Sequence, residues 1–118
     1  PYPDHFSNGY YGIKKPWNHP YEILKAWGER VQARQAVTPT PAAVRTWIQA
    51  YPVMRHVDAN GLPYNAEDVE AEIRGLYDAG LTGGYTTWHS GSNLEKYKAQ
   101  KGAFCIDYLK EWKKKNNK

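Results

Sequence analysis

Cysteine occurs once in the 118 residues, at Cys105, so an internal disulfide and a thiolate zinc cluster are both excluded. No apolar run approaches the ~20 residues that a membrane-spanning helix needs. Residues 1–20 lack the apolar stretch of a secretory leader. There is no internal repeat, and low complexity is confined to the final KKKNNK. With 41% hydrophobic and 24% charged residues, the chain is neither disordered nor collagen-like in composition.

Aromatic side chains are what the chain has in excess. Five Trp, ten Tyr and two Phe make up 14% of a sequence the size of one ordinary domain. Composition alone leaves three uses open: a core, a sugar-stacking cleft or a nucleic-acid platform.

The net charge of +4 is a terminal feature. Residues 94–118 carry eight lysines against Glu95, Asp107 and Glu111, whereas residues 1–93 hold eight basic and nine acidic side chains. A lysine-rich last turn complements the negative end of a helix dipole. No arginine-and-aromatic motif accompanies it, so a solvated helix end is the favoured reading and no nucleic-acid partner is expected.

Residues 1–20, with four prolines and two glycines, predict a long loop. Pro20 opens a helix running to about Gln35, capped by Asn18 or His19, whose apolar positions are Ile23, Leu24, Trp27 and Val31. Val37–Pro41 is irregular. Residues 44–51 (VRTWIQAY) predict a strand of about six residues, ended by Pro52, and Asp58–Gly61 a turn. Asn65 caps a second helix with stripe Val69, Ile73, Leu76 and Tyr77, closed by Gly80. Residues 84–88 read as a second strand, followed by the polar loop His89–Asn93. A last helix is predicted over about 103–115, burying Phe104, Tyr108, Leu109 and Trp112, with Cys105 as a small core side chain.

Strands alternating with amphipathic helices predict an α/β fold with a parallel sheet. Two or three parallel strands cannot cover both faces and both edges, so the piece reads as incomplete by itself. A missing barrel half or self-association is expected to cover the sheet edges.

The succession Tyr2-Pro3-Asp4-His5-Phe6, Gly9–Gly12, Asn18–Glu22, Arg45–Tyr51, Asp78–Gly80 and Thr87-Trp88-His89 resembles the C-terminal third of a bacterial family of glycoside hydrolase-like (β/α)8 barrels with unassigned activity. The likeness covers about residues 2–97. It implies a partial TIM barrel of the last two to three βα units, with Tyr2–His5 ending strand six, residues 45–51 strand seven and residues 84–88 strand eight. It also implies an oligo- or polysaccharide ligand and an extracellular or cell-envelope location. This chain differs from the family at Thr46, Ala50 and His89, where proline, aspartate and asparagine are usual, and it lacks the family's acidic motifs of the earlier strands.

Glycosidic cleavage ordinarily takes two carboxyl groups, and barrels place such groups where strands give way to loops. Asp4 is the candidate catalytic residue, with a loop-capping aspartate as the alternative; Asp58 reads as turn chemistry. Glu67, Asp68, Glu70 and Glu72 read as helix acids near a positive dipole end. Candidate substrate contacts are His5, Gln49, Tyr51, Trp88, His89 and Asn93, with Trp88 as the stacking platform and Tyr10, Tyr11 and Trp17 able to act similarly. A site made from Asp4, His5 and His89 has no metal-binding spacing, so no metal and no cofactor are expected. One carboxylate cannot fill both proton-transfer roles, so the chain alone is expected to be inactive. Two alternatives stay open: a non-catalytic glycan-binding or cell-envelope domain, and a small α/β module binding an anionic partner through its lysines.

Overall fold

A computed structural model describes residues 1–55, 63–88 and 94–116. The opening loop winds through three short 3-10 turns, Pro3–His5, Tyr10–Gly12 and Pro16–Asn18. Tyr2 is extended (φ −116°, ψ 127°) but Pro3–His5 form a 3-10 turn, so the expected end of a sixth strand is a turn instead. Pro3 explains this, because its ring fixes φ and removes a donor at the first turn position. Tyr11 (φ 56°) and Lys15 (φ 48°) take left-handed backbone conformations that non-glycine residues rarely adopt. Local bonds hold them: the Arg30 guanidinium lies 3.7 Å from the Tyr11 ring centroid, and Asn8 Oδ1 accepts the Lys15 N–H at 2.8 Å.

Six longer elements follow: α1 (Pro20–Ala36), β1 (Thr46–Gln49), α2 (Ala66–Asp78), β2 (Tyr85–Trp88), α3 (Leu94–Phe104) and α4 (Tyr108–Asn116). Pro20 occupies the first turn of α1 and His19 its N-cap. Asn65 precedes α2, and Asp68 Oδ2 accepts the Asn65 N–H at 2.9 Å, as in a capping box. Gly80 (φ +92°) ends α2, with the Leu81 N–H bonded back to Leu76 O and the Gly80 N–H to Tyr77 O. Gly75 permits the close approach of α1 and α2: a Cβ there would lie 2.5 Å from the Tyr21 carbonyl oxygen.

The strands form a two-stranded parallel sheet in the register Thr46↔Tyr85 to Gln49↔Trp88, continued by Ala50 N–H to Trp88 O at 2.9 Å. The molecule is thus a mixed α/β structure with one small parallel sheet. Ile48 enters the helix-packed core and Tyr85 packs on Phe104 and Tyr108. Strand alternation therefore puts Trp47, Gln49, Thr86 and Trp88 on the opposite face. The core is built chiefly from Ile23 and Leu24 of α1, Ile48 of β1 and Val69, Ile73 and Leu76 of α2.

The expected last helix is two helices. Residues 105–107 interrupt it, and Asp107 Oδ1 restarts it by accepting the Lys110 N–H at 2.9 Å. Of the four side chains expected to be buried there, only Tyr108 is fully so; Phe104 and Trp112 are half-buried and Leu109 is exposed. Cys105 sits at the break, exposed, and is not a core residue. The α4 helix docks through charges as well as rings: Arg74 Nη1 meets Glu111 Oε2 at 2.7 Å, and Lys115 Nζ meets Asp78 Oδ1 at 3.4 Å. Part of the lysine excess is therefore spent within the fold. Among the described residues, no helix is long and apolar enough to cross a membrane.

Candidate functional site

Strand β1 delivers Gln49 to its C-terminal end, and the chain continues through Ala50 and Tyr51 into the loop that β1 shares with α2. The opening loop folds back onto this end. Asp4 donates its backbone N–H to Gln49 Oε1 at 2.9 Å, while Gln49 Nε2 donates to Tyr51 O at 3.0 Å. Gln49 is fully buried, so its amide is a fixed connector between strand and loop. Its register partner, Trp88, ends β2 on the same face. Asp4, Gln49 and Trp88 thus gather at one end of the sheet.

Asp4 is only 1% exposed. Its Oδ1 accepts the backbone N–H groups of Met54 (3.1 Å) and Arg55 (2.9 Å). A carboxylate so placed fastens the opening loop to the segment after β1, and it is turned away from solvent.

Above this buried layer lies an aromatic rim. Tyr2 contacts His5 and Tyr51 edge-on, with centroids 5.3 and 5.8 Å apart. The Tyr51 hydroxyl lies 3.2 Å from His5 Nε2. Burial holds the His5 imidazole below its usual value, the Arg55 charge adds to this, and Asp4 opposes it. Burial first, and then the Asp4 charge, push the Tyr51 phenol up to about 12. Near neutral pH the phenol therefore keeps its proton and the imidazole is neutral, and the His5 tautomer sets which of the two donates.

Trp47 and Trp88 pair edge-to-face at 6.2 Å, and they remain 50% and 49% exposed. Beside them, Pro1, Tyr2, His5, Phe6 and Trp47 line an open hollow of about 350 Å³. Phe6 extends the aromatic surface to Tyr10, 5.3 Å away. Such a surface offers flat apolar faces with a few polar atoms between them, the pattern that receives the C–H face of a pyranose.

His89 and Asn93 lie outside the described residues, as does the Asp58 turn. Trp47 was not anticipated, although it shares parity with Gln49 and Tyr51 and so shares their face. Glu72 was not anticipated either. It stands among the apolar positions of α2, between Val69 and Ile73, and is 0% exposed. Its Oε1 accepts the Gln49 backbone N–H at 3.0 Å. Burial raises its acid strength threshold well above the usual 4.5, against the opposing pull of the Gln49 N–H. Among the described residues, no group of three His, Cys, Asp or Glu could hold a metal ion.

A family model described as "putative glycosyl hydrolase domain" matches residues 1–94. It therefore spans all of the rim, both strands and α2, and stops where α3 begins. No curated protein and no solved structure matches the chain.

Proposed function

The chain belongs to the putative glycosyl hydrolase domain family, and from that premise we propose that it supplies part of a saccharide-binding cleft at the C-terminal ends of two strands of a (β/α)8 barrel. In this reading Trp88 and Trp47 stack on sugar rings, and His5 and Tyr51 bond to hydroxyls. Gln49 and Asp4 fix the geometry from beneath. His89 and Asn93, which follow β2 in the sequence, stay candidate contacts. The observation that carries the reading is the half-exposed Trp47–Trp88 pair beside the Tyr2–His5–Tyr51 cluster.

Binding is favoured over cleavage for this chain by itself. Hydrolysis takes two carboxyl groups facing the glycosidic bond. Here Asp4 is committed to two backbone amides and Glu72 is enclosed in the core. A proton-transfer pair would come from the rest of a barrel, and Asp4 then acts as a positioning residue.

The test is titration of the purified chain with soluble cello-, xylo-, chito- and malto-oligosaccharides, followed by tryptophan fluorescence. Saturable quenching or enhancement by at least one series is expected, with Trp88→Ala weakening it about fivefold for a stacking contribution of about 1 kcal/mol. No turnover of the same sugars is expected. An unchanged spectrum with all four series would overturn the proposal.

A further inference from the structure

Glu72 is a carboxyl group in the wrong company. Its neighbours along α2 are the core residues Val69, Ile73 and Leu76, and the side chain has no exposed surface. Among the described residues it makes no ion pair. An unpaired charge in such a place costs several kcal/mol, and an acid there keeps its proton instead.

The hydrogen bonds fix where the carboxyl sits. The Ala50 N–H points to β2, so alternation along the strand turns the Gln49 N–H to the outer edge, where Glu72 Oε1 receives it. The other oxygen, Oε2, has no partner in bonding geometry, and neither has the buried hydroxyl of Tyr64. The two groups nevertheless lie near enough to perturb one another's ionisation. One hydrogen between Glu72 Oε2 and Tyr64 Oη, the acid's or the phenol's own, satisfies both oxygens after a small rotation; the enclosure of the carboxyl and the absence of a paired cation favour the acid's.

We propose that Glu72 is a proton-bearing positioning residue: its neutral carboxyl fastens the outer edge of β1 under the rim, and loss of the proton to a base in solvent leaves a charge that reaches water only by leaving the core, which opens the contact although the carboxylate is the stronger acceptor. From Gln49 the connection runs through Oε1 to the Asp4 N–H, and from Asp4 Oδ1 to Met54 and Arg55. The groups that act on Glu72 are Tyr64 before α2, Asp68 on α2, Tyr2 and the Pro1 amine of the opening segment, and Tyr51 after β1. Among these, the Pro1 amine and the Tyr64 hydroxyl, as a donor, favour ionisation, as the Gln49 N–H does; burial outweighs them. Only the consequence for ligand binding rests on the saccharide reading, since the latch itself is read without ligand.

The experiment is a pH titration of the full chain by NMR, following the Glu72 side-chain carboxyl carbon and the Gln49 amide, with Glu72→Gln as the permanently neutral comparison. The carboxyl is expected to titrate well above 4.5 and the Gln49 amide to shift with it, while the Gln49 amide of E72Q stays still over the same range. The folded state holds a proton that the unfolded chain releases near 4.5. The wild-type folded-to-unfolded ratio should therefore fall, relative to E72Q, by up to tenfold per pH unit from about pH 4.5 up to the raised folded value, and no further above it. A carboxyl titrating near 4.5, or a Gln49 amide indifferent to it, would overturn the proposal. If E72Q does not fold, the wild-type carboxyl titration decides alone. Failure of sugar binding leaves this result untouched, so the two ideas fall separately.

Discussion

Replacing Asp4 by alanine and by asparagine separates a loop fastener from a catalytic acid. In the folded chain the Asp4 carboxylate receives two backbone N–H groups, from Met54 and Arg55, in a site that leaves it 1% exposed. Alanine orphans both donors. Each orphaned buried donor costs roughly 1–3 kcal/mol, and because these two are only partly buried, a total of about 2–4 kcal/mol is expected. That is a large share of the ~5–15 kcal/mol that holds a domain together, and it corresponds to a melting point lower by roughly 10–20 °C. Asparagine keeps an oxygen at the same place and loses only the charge, so about 1 kcal/mol is expected. The assay is urea unfolding followed by far-UV circular dichroism, with the slope unchanged and the midpoint moved. A catalytic carboxylate with no structural duty gives the opposite pattern, in which both variants fold as well as the parent. An Asp4→Ala unfolding free energy within about 0.5 kcal/mol of wild type would refute the fastening argument.

Three further outcomes follow from the same geometry. Gly75→Ala should destabilise by about 1–3 kcal/mol despite alanine's better helix propensity, because its Cβ would meet the Tyr21 carbonyl; a raised melting temperature would contradict the α1–α2 packing. The His5 imidazole should titrate below 6.5 by proton NMR and move upward in Arg55→Gln, which removes a repelling charge; a downward move would contradict the assigned cause. Arg74→Met should cost no more than about 1 kcal/mol, and less in 1 M salt, since its pairs with Glu70 and Glu111 are substantially exposed. A cost that is undiminished by salt would mean that α4 docks by its rings alone.

Elements with a local signature were legible in the sequence. Pro20 marks the start of α1, Asn65 the start of α2, Gly80 its end, and the β-branched and aromatic runs mark both strands. The α3 helix was not legible because LEKYKAQKGAF carries no apolar stripe; only Gln100 and Ala103 are buried, and Gln100 earns its place by donating to the carbonyls of Ala50 and Tyr64. The Asp107 cap was a readable start signal for α4 that the apolar count across Phe104 to Trp112 obscured.

The nearness of the candidate residues to one another was more legible than what each of them does. Asp4, His5, Gln49, Tyr51 and Trp88 do converge on one end of the sheet. That Asp4 faces inward could not be read from its neighbours, because its partners, Met54 and Arg55, are some fifty residues away. Glu72 could have been found, since it lies three residues after Val69 and four before Leu76 on the buried stripe. An acid near a helix start has a ready solvent-facing explanation, and that explanation hid the spacing.

The central claim is that the aromatic rim at the strand ends receives a sugar, and chemical-shift mapping tests it most directly. Amide and indole NMR signals would be followed as the oligosaccharide series found by fluorescence is added to the full chain. Shifts concentrated on Trp88, Trp47, Tyr51, His5 and Tyr2, with the α4 lysines silent, are the predicted result. Shifts confined to α4, or scattered without involving either tryptophan, would contradict the account.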